Sequence, residues 1–176
     1  LLANQILGGG GEGRLFLNLR EKHGWTYGAY SSLKASKYVS KFKAGASVRN
    51  TVTDSAIVEV FNELKRIRLE KVSEEDLKNA KAKYIGNFVM QIEKPQTIAR
   101  HALNIETQNL PKDFYENYIK NIEAVTPEQI LQVANKYFLA DNIRVVVVGK
   151  SEDVLPNLKK LDLPIKQFDV YGNLVE

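Results

Sequence analysis

Near the end of the chain stands "IRVVVVG", residues 143–149. Four consecutive valines are stiff at χ1 and prefer a sheet to a helix, so this run must be a strand. It reads as a central strand, and the sheet it needs has to come from elsewhere in the sequence. The only other strand-like stretches are "TYGAYSSLKA" and "YVSKFKAGASVR". Both are rich in aromatic, β-branched and small residues, with alternation at Phe42, Ala44, Ala46 and Val48. A turn around Ala35 to Lys37 joins them into an antiparallel pair.

Helices account for most of the remainder. "LLANQIL" reads as the last turns of a helix ended by glycine, and Leu15, Phe16 and Leu19 place a short helix after the glycines, with Gly24 as its stop. Ile57, Val60, Phe61, Leu64 and Ile67 form one apolar stripe over residues 54–70, with Thr53 as its cap. Ser73 with Asp76 opens a further helix that Pro95 interrupts, and another spans 96–108. A short helix is expected from Pro111. Thr126, Pro127 and Gln129 make a complete capping box for the helix that precedes the valine run. The predicted class is α+β, a mostly antiparallel sheet with helices on one face. Residues 1–150 form that domain, and 151–176 a tail with a short helix and an extended arm. A chain opening at Leu1 without methionine reads as part of a longer protein, with at least one strand of the sheet before Leu1.

No apolar run reaches the roughly 18 residues of a membrane span, and the valine run is interrupted by Arg144. The absence of cysteine excludes disulfides and thiolate metal sites. A net charge of +4 is mild, but between Lys22 and Thr53 no acid occurs while six bases do. Lys37, Lys41 and Lys43 share one strand parity, opposite Phe42 and Ala44. They suit a solvated face or a guarded edge, a polyanion surface, or a groove for acidic peptide. Nucleic acid is disfavoured, because the remaining bases are interspersed with acids.

The chemistry-bearing candidates fall away one by one. Gly8, Gly10 and Gly13 satisfy G-x-G-x-x-G, but a helix precedes them and no acid follows at the dinucleotide spacing. Arg14 and Leu15 stand where a phosphate loop needs Lys and Ser or Thr. The glycines are then backbone residues that reverse the chain through positive φ. His23 and His101 are the only histidines and belong to no zinc motif. His23 reads as a turn residue and His101 as a partly buried helix residue.

"ILGGGGEGRLFLNLREKHGWTYGAYSS" resembles the glycine loop, helix and strand of the pitrilysin/insulinase zinc peptidases, which include the mitochondrial processing peptidases. "VTPEQILQVANKYFLADNIRVVVVG" is similar to that family's closing helix and strand. The resemblance implies a clamshell of two α+β halves closing on an unfolded peptide. It implies further that this chain is the C-terminal half, without metal, and that zinc sits on the partner half in an inverted H-x-x-E-H motif. In this reading Arg20 and Tyr27, seven positions apart, match the pair that holds the substrate backbone. The implied partners are a catalytic half of the same chain or a paired subunit, and an extended peptide. The alternative keeps the fold as a scaffold subunit without proteolysis.

Overall fold

The computed structural model describes residues 1–34 and 38–175. The expected turn at Ala35 to Lys37 lies outside them. Helix α1 (Leu2–Gly8) buries Leu2, Ala3, Ile6 and Leu7, and α2 (Arg14–Phe16) runs straight into a π-helical turn, Leu17–Lys22. The hairpin follows as β1 (Thr26–Lys34) and β2 (Lys41–Val48), antiparallel. Next come α3 (Thr53–Leu69), α4 (Glu74–Ile92) and α5 (Pro95–Gln108). Turns from Pro111 lead into α6 (Tyr118–Glu123), so the helix expected there begins later. Last in the main body is α7 (Pro127–Tyr137).

The helices begin where local hydrogen bonding dictates. The Ser73 side chain accepts from the Asp76 N–H at the start of α4, and Thr126 with Gln129 forms the reciprocal capping box of α7. Thr53 is not a cap. It lies inside α3, its hydroxyl donating to the Arg49 carbonyl at 3.4 Å, because a 3-10 turn over Asn50–Val52 leads the chain in. The apolar stripes converge on one core in which Leu7, Leu15, Leu19, Leu64, Ile67 and Leu77 are fully buried. The inner face of the hairpin closes that core. Ala29 is 1% exposed, and the Phe42 ring meets Phe138, just past α7, at 4.8 Å. Among the described residues, helices therefore pack on one face of the hairpin and leave most of the other exposed.

The glycine cluster serves the backbone, but not through positive φ. Only Gly24 and Gly172 among the described glycines have it, at 62° and 86°. The constraint on Gly8 and Gly13 is close approach. A Cβ on Gly8 would sit 2.7 Å from the Ser31 backbone nitrogen, and one on Gly13 would sit 2.7 Å from the Gly8 Cα. The end of α1, the start of α2 and β1 meet at distances that exclude a side chain.

The valine run departs from expectation. Residues 143–148 join no ladder among the described residues, although Ile143 has extended dihedrals (φ −94°, ψ 138°). Val146 and Val148 are 84% and 95% exposed. Local preference makes the run extended, but a strand also needs a neighbour to share its hydrogen bonds, and the hairpin does not supply one. Helix α8 (Ser151–Leu158) then docks through buried Val154, with Asn50 donating to Asp153 at 2.9 Å. Beyond it, β3 (Gln167–Phe168) and β4 (Leu174–Val175) pair with each other, so the arm expected after α8 is a small hairpin.

Candidate functional site

Arg20 lies in the π-helical turn and Tyr27 near the start of β1. The turn has the wider i→i+5 pattern, seen in the His23 N–H donating to the Asn18 carbonyl at 3.1 Å. π-turns are rare and concentrate at functional sites. Gly24 ends the turn in the left-handed region, and its N–H donates to the Arg20 carbonyl at 2.9 Å. The backbone of Arg20 is thereby fixed. Its guanidinium lies 4.8 Å from the Phe16 ring centroid and its Nε 3.7 Å from Glu21, with the side chain 46% exposed.

Tyr27 is positioned by a break in the ladder. Thr26 pairs with Val48 and Ala29 with Ala46, so three steps on β1 match two on β2. Tyr27 and Gly28 together oppose Ser47, which is a β-bulge. Bulges bend a strand and re-aim a side chain, often beside active sites. The Thr26 hydroxyl secures this one, donating to the Gly28 carbonyl at 2.9 Å and accepting from the Gly28 N–H at 3.1 Å. The Tyr27 side chain is 95% exposed. No hydrogen bond or ring contact among the described residues links it to Arg20. The residue that reaches toward Arg20 is Tyr30, whose ring lies 5.7 Å from Phe16, the same ring that Arg20 covers.

A buried polar cluster behind Arg20 escaped the sequence reading. Asn18, 8% exposed, donates through Nδ2 to Glu59 at 2.7 Å and to Glu63 at 2.8 Å, both on α3. His23 stacks on Trp25 at 4.1 Å, and its Nε2 lies 3.8 Å from Glu59. Asn18 and His23 flank Arg20 in sequence and both reach Glu59, so the turn is pinned to α3 on either side of the arginine. The Asn18 amide is the main cause that holds the Glu59 carboxyl below its usual range, acting against burial and helped by Asn62, Lys22 and His23. The available signal was the Glu59 and Glu63 pair at helical spacing, on a helix read only for its apolar stripe.

These residues do not fit a zinc site. Among the described residues no three His, Asp or Glu side chains are gathered as a metal needs, and cysteine is absent. His101 lies flat on Tyr115 at 3.7 Å and faces Phe88 at 5.8 Å. Burial, with Arg100 nearby, pushes its imidazole below the usual range.

Comparison with known proteins adds a family to this geometry. Residues 1–84 match the family described as the peptidase M16 inactive domain. An uncharacterized zinc protease of Rickettsia bellii is 30% identical over 148 residues, 81% of this chain and 34% of that protein. One from Rickettsia felis is 32% identical over 139 residues, 76% of this chain and 32% of that protein. The chain thus spans about a third of the length of these curated relatives. The crystal structure of a peptidase M16 inactive domain from Pseudomonas fluorescens superposes with a TM-score of 0.73 at 26% identity, covering 80% of this chain and 34% of that one.

Proposed function

This chain carries a peptidase M16 inactive domain, matched at residues 1–84, and from that premise we propose that it is the non-catalytic half of a zinc metalloendopeptidase. It forms one wall of a closed chamber and holds extended peptide for a zinc site on a catalytic half, in the same chain or in a paired subunit. The observation that carries the reading is Tyr27 turned outward by a secured bulge, seven residues after an arginine whose backbone is fixed in a π-turn.

A guanidinium and a phenol are both hydrogen-bond donors. Directed at a peptide carbonyl, they bind its oxygen, and they bind it more strongly as negative charge develops there during hydrolysis. Pinning the turn to α3 through Asn18 and His23 keeps the arginine from reorganising when the peptide arrives. In this role the domain contributes orientation and charge stabilisation, while the metal stays elsewhere.

A photo-crosslinker tests the placement of Tyr27. With p-benzoylphenylalanine at position 27 of the assembled peptidase, irradiation with a slowly cleaved peptide is expected to label that peptide. The same crosslinker in place of Tyr137, exposed at the end of α7, is expected not to. Equal labelling from both positions, or none from position 27, would remove Tyr27 from the peptide path.

A further inference from the structure

The uncovered face of the hairpin has a composition that peptide binding in general does not explain. Outside the bulge, the register places Tyr30, Ser32 and Lys34 of β1 on that face, opposite Gly45, Lys43 and Lys41 of β2. Lys34 and Lys41 are direct cross-strand partners, and Lys43 stands one pair further on, opposite Ser32. All three lysines are exposed. None of them forms an ion pair with an acid among the described residues, although ion pairs occur in several other places. Like charges directly opposite one another on a sheet are destabilising. Edge protection alone does not call for that arrangement, because lysines alternating with neutral or acidic partners protect an edge equally well.

Tyr27 and Gly28 oppose Ser47, which belongs to this same outer parity, so the bulge and the lysines lie along one face. At about 3.3 Å per residue, Ser32 and Lys34 stand about 16 and 23 Å along β1 from Tyr27. An extended peptide laid along the strand covers that distance in about five to seven residues.

Resting on the peptide-holding role above, we infer that this face selects acidic extended peptides. The recognised carboxylates lie about five to seven residues from the scissile bond, on one side of it, and are read by Lys34, Lys41 and Lys43. The contacts are solvent-exposed, so the selectivity is modest and falls with salt. They act at a distance from the bond being cut, and so they sort substrates without taking part in the chemistry.

The experiment compares kcat/KM of the assembled peptidase for two sets of peptides, identical except for two residues five to seven positions from the cleavage point. One set carries Glu there and the other Gln, with each set made on the N-terminal and on the C-terminal side. At low salt the Glu peptides of one side are expected to be preferred about tenfold, the sum of two exposed charge contacts. That ratio should approach one at high salt and in the K34Q/K41Q/K43Q variant, and it should persist in the corresponding triple arginine variant. Equal kcat/KM for Glu and Gln peptides on both sides would overturn the inference. So would a preference that survives in the triple glutamine variant. Tighter, salt-steep binding of a single-stranded oligonucleotide than of the Glu peptides would overturn it in favour of a nucleic-acid surface. If Arg20→Ala still abolishes most turnover while the Glu preference is missing, only this inference falls. If Arg20→Ala has no effect, the peptide-holding role falls as well.

Discussion

Arg20→Ala in the assembled peptidase is expected to lower kcat/KM by about 10²-fold, the loss typical of removing one donor to a developing oxyanion, while the folding midpoint stays unchanged. The two halves of that expectation rest on different facts. The side chain is 46% exposed, and its contacts are a 3.7 Å approach to Glu21 and the Phe16 ring. Exposed contacts of those kinds contribute at most about 1 kcal/mol each, so the fold does not depend on them. In the proposed role the activity does, because the guanidinium supplies a forked donor to the peptide oxygen. Arg20→Lys is expected to recover only part of the loss, since a single ammonium lacks the planar fork. Tyr27→Phe, which removes a hydroxyl and leaves the ring, should lower kcat/KM in the same direction. Steady-state kinetics alongside thermal unfolding of each variant separate the two effects.

Asn18→Leu is the substitution expected to damage the fold most. Leucine has the same branched four-atom outline as asparagine, but it is bulkier and offers no donor to Glu59 and Glu63, each of which takes a short bond from the Asn18 amide. Glu63 is only 6% exposed and already has one carboxylate oxygen without a hydrogen-bond partner. Leaving the buried Glu63 carboxylate without this donor costs about 3 kcal/mol. The pH dependence should change too. A carboxyl held below its usual range in the folded state contributes stability that is present above its unfolded pKa of about 4.3 and lost as pH falls through the folded value. Asn18 is the first cause of that lowering at Glu59. The wild-type chain should therefore lose this contribution on acidification below about pH 4.3, and Asn18→Leu should have little of it left to lose. Urea unfolding at neutral and acidic pH measures both effects.

The helices were legible because their signals are local. Ser73 and Thr126 donate or accept within their own first turns, and the stripe through Leu64 and Ile67 repeats at helical period, so no distant residue is needed to predict them. The same locality explains the failures. Residues 143–148 carry the strongest strand propensity in the chain, yet propensity sets only the backbone conformation, and pairing depends on a neighbouring strand. The positive φ expected of the glycines was a reading of one residue at a time. The actual reason, Gly8 against the Ser31 backbone, involves two segments 23 residues apart in sequence.

The candidate site divides in the same way. Arg20 and Tyr27 were found by type and spacing, but spacing did not reveal that a π-turn fixes one and a bulge turns out the other. A bulge is a mismatch between two strands and cannot be read from one of them. The support behind Arg20 was hidden for a similar reason, since Asn18 meets Glu59 and Glu63 across 41 and 45 residues of sequence.

In the proposed function this domain holds peptide, and the metal sits on the catalytic half. The most direct test measures bound zinc and peptide hydrolysis for the purified 176-residue chain, for a separately purified domain bearing an inverted H-x-x-E-H motif, and for their mixture. No stoichiometric zinc and no hydrolysis are expected with the chain alone, zinc is expected in the other domain, and hydrolysis should rise when the two are mixed and fall again with Arg20→Ala. Stoichiometric zinc together with peptide cleavage by the 176-residue chain alone would contradict the proposed function.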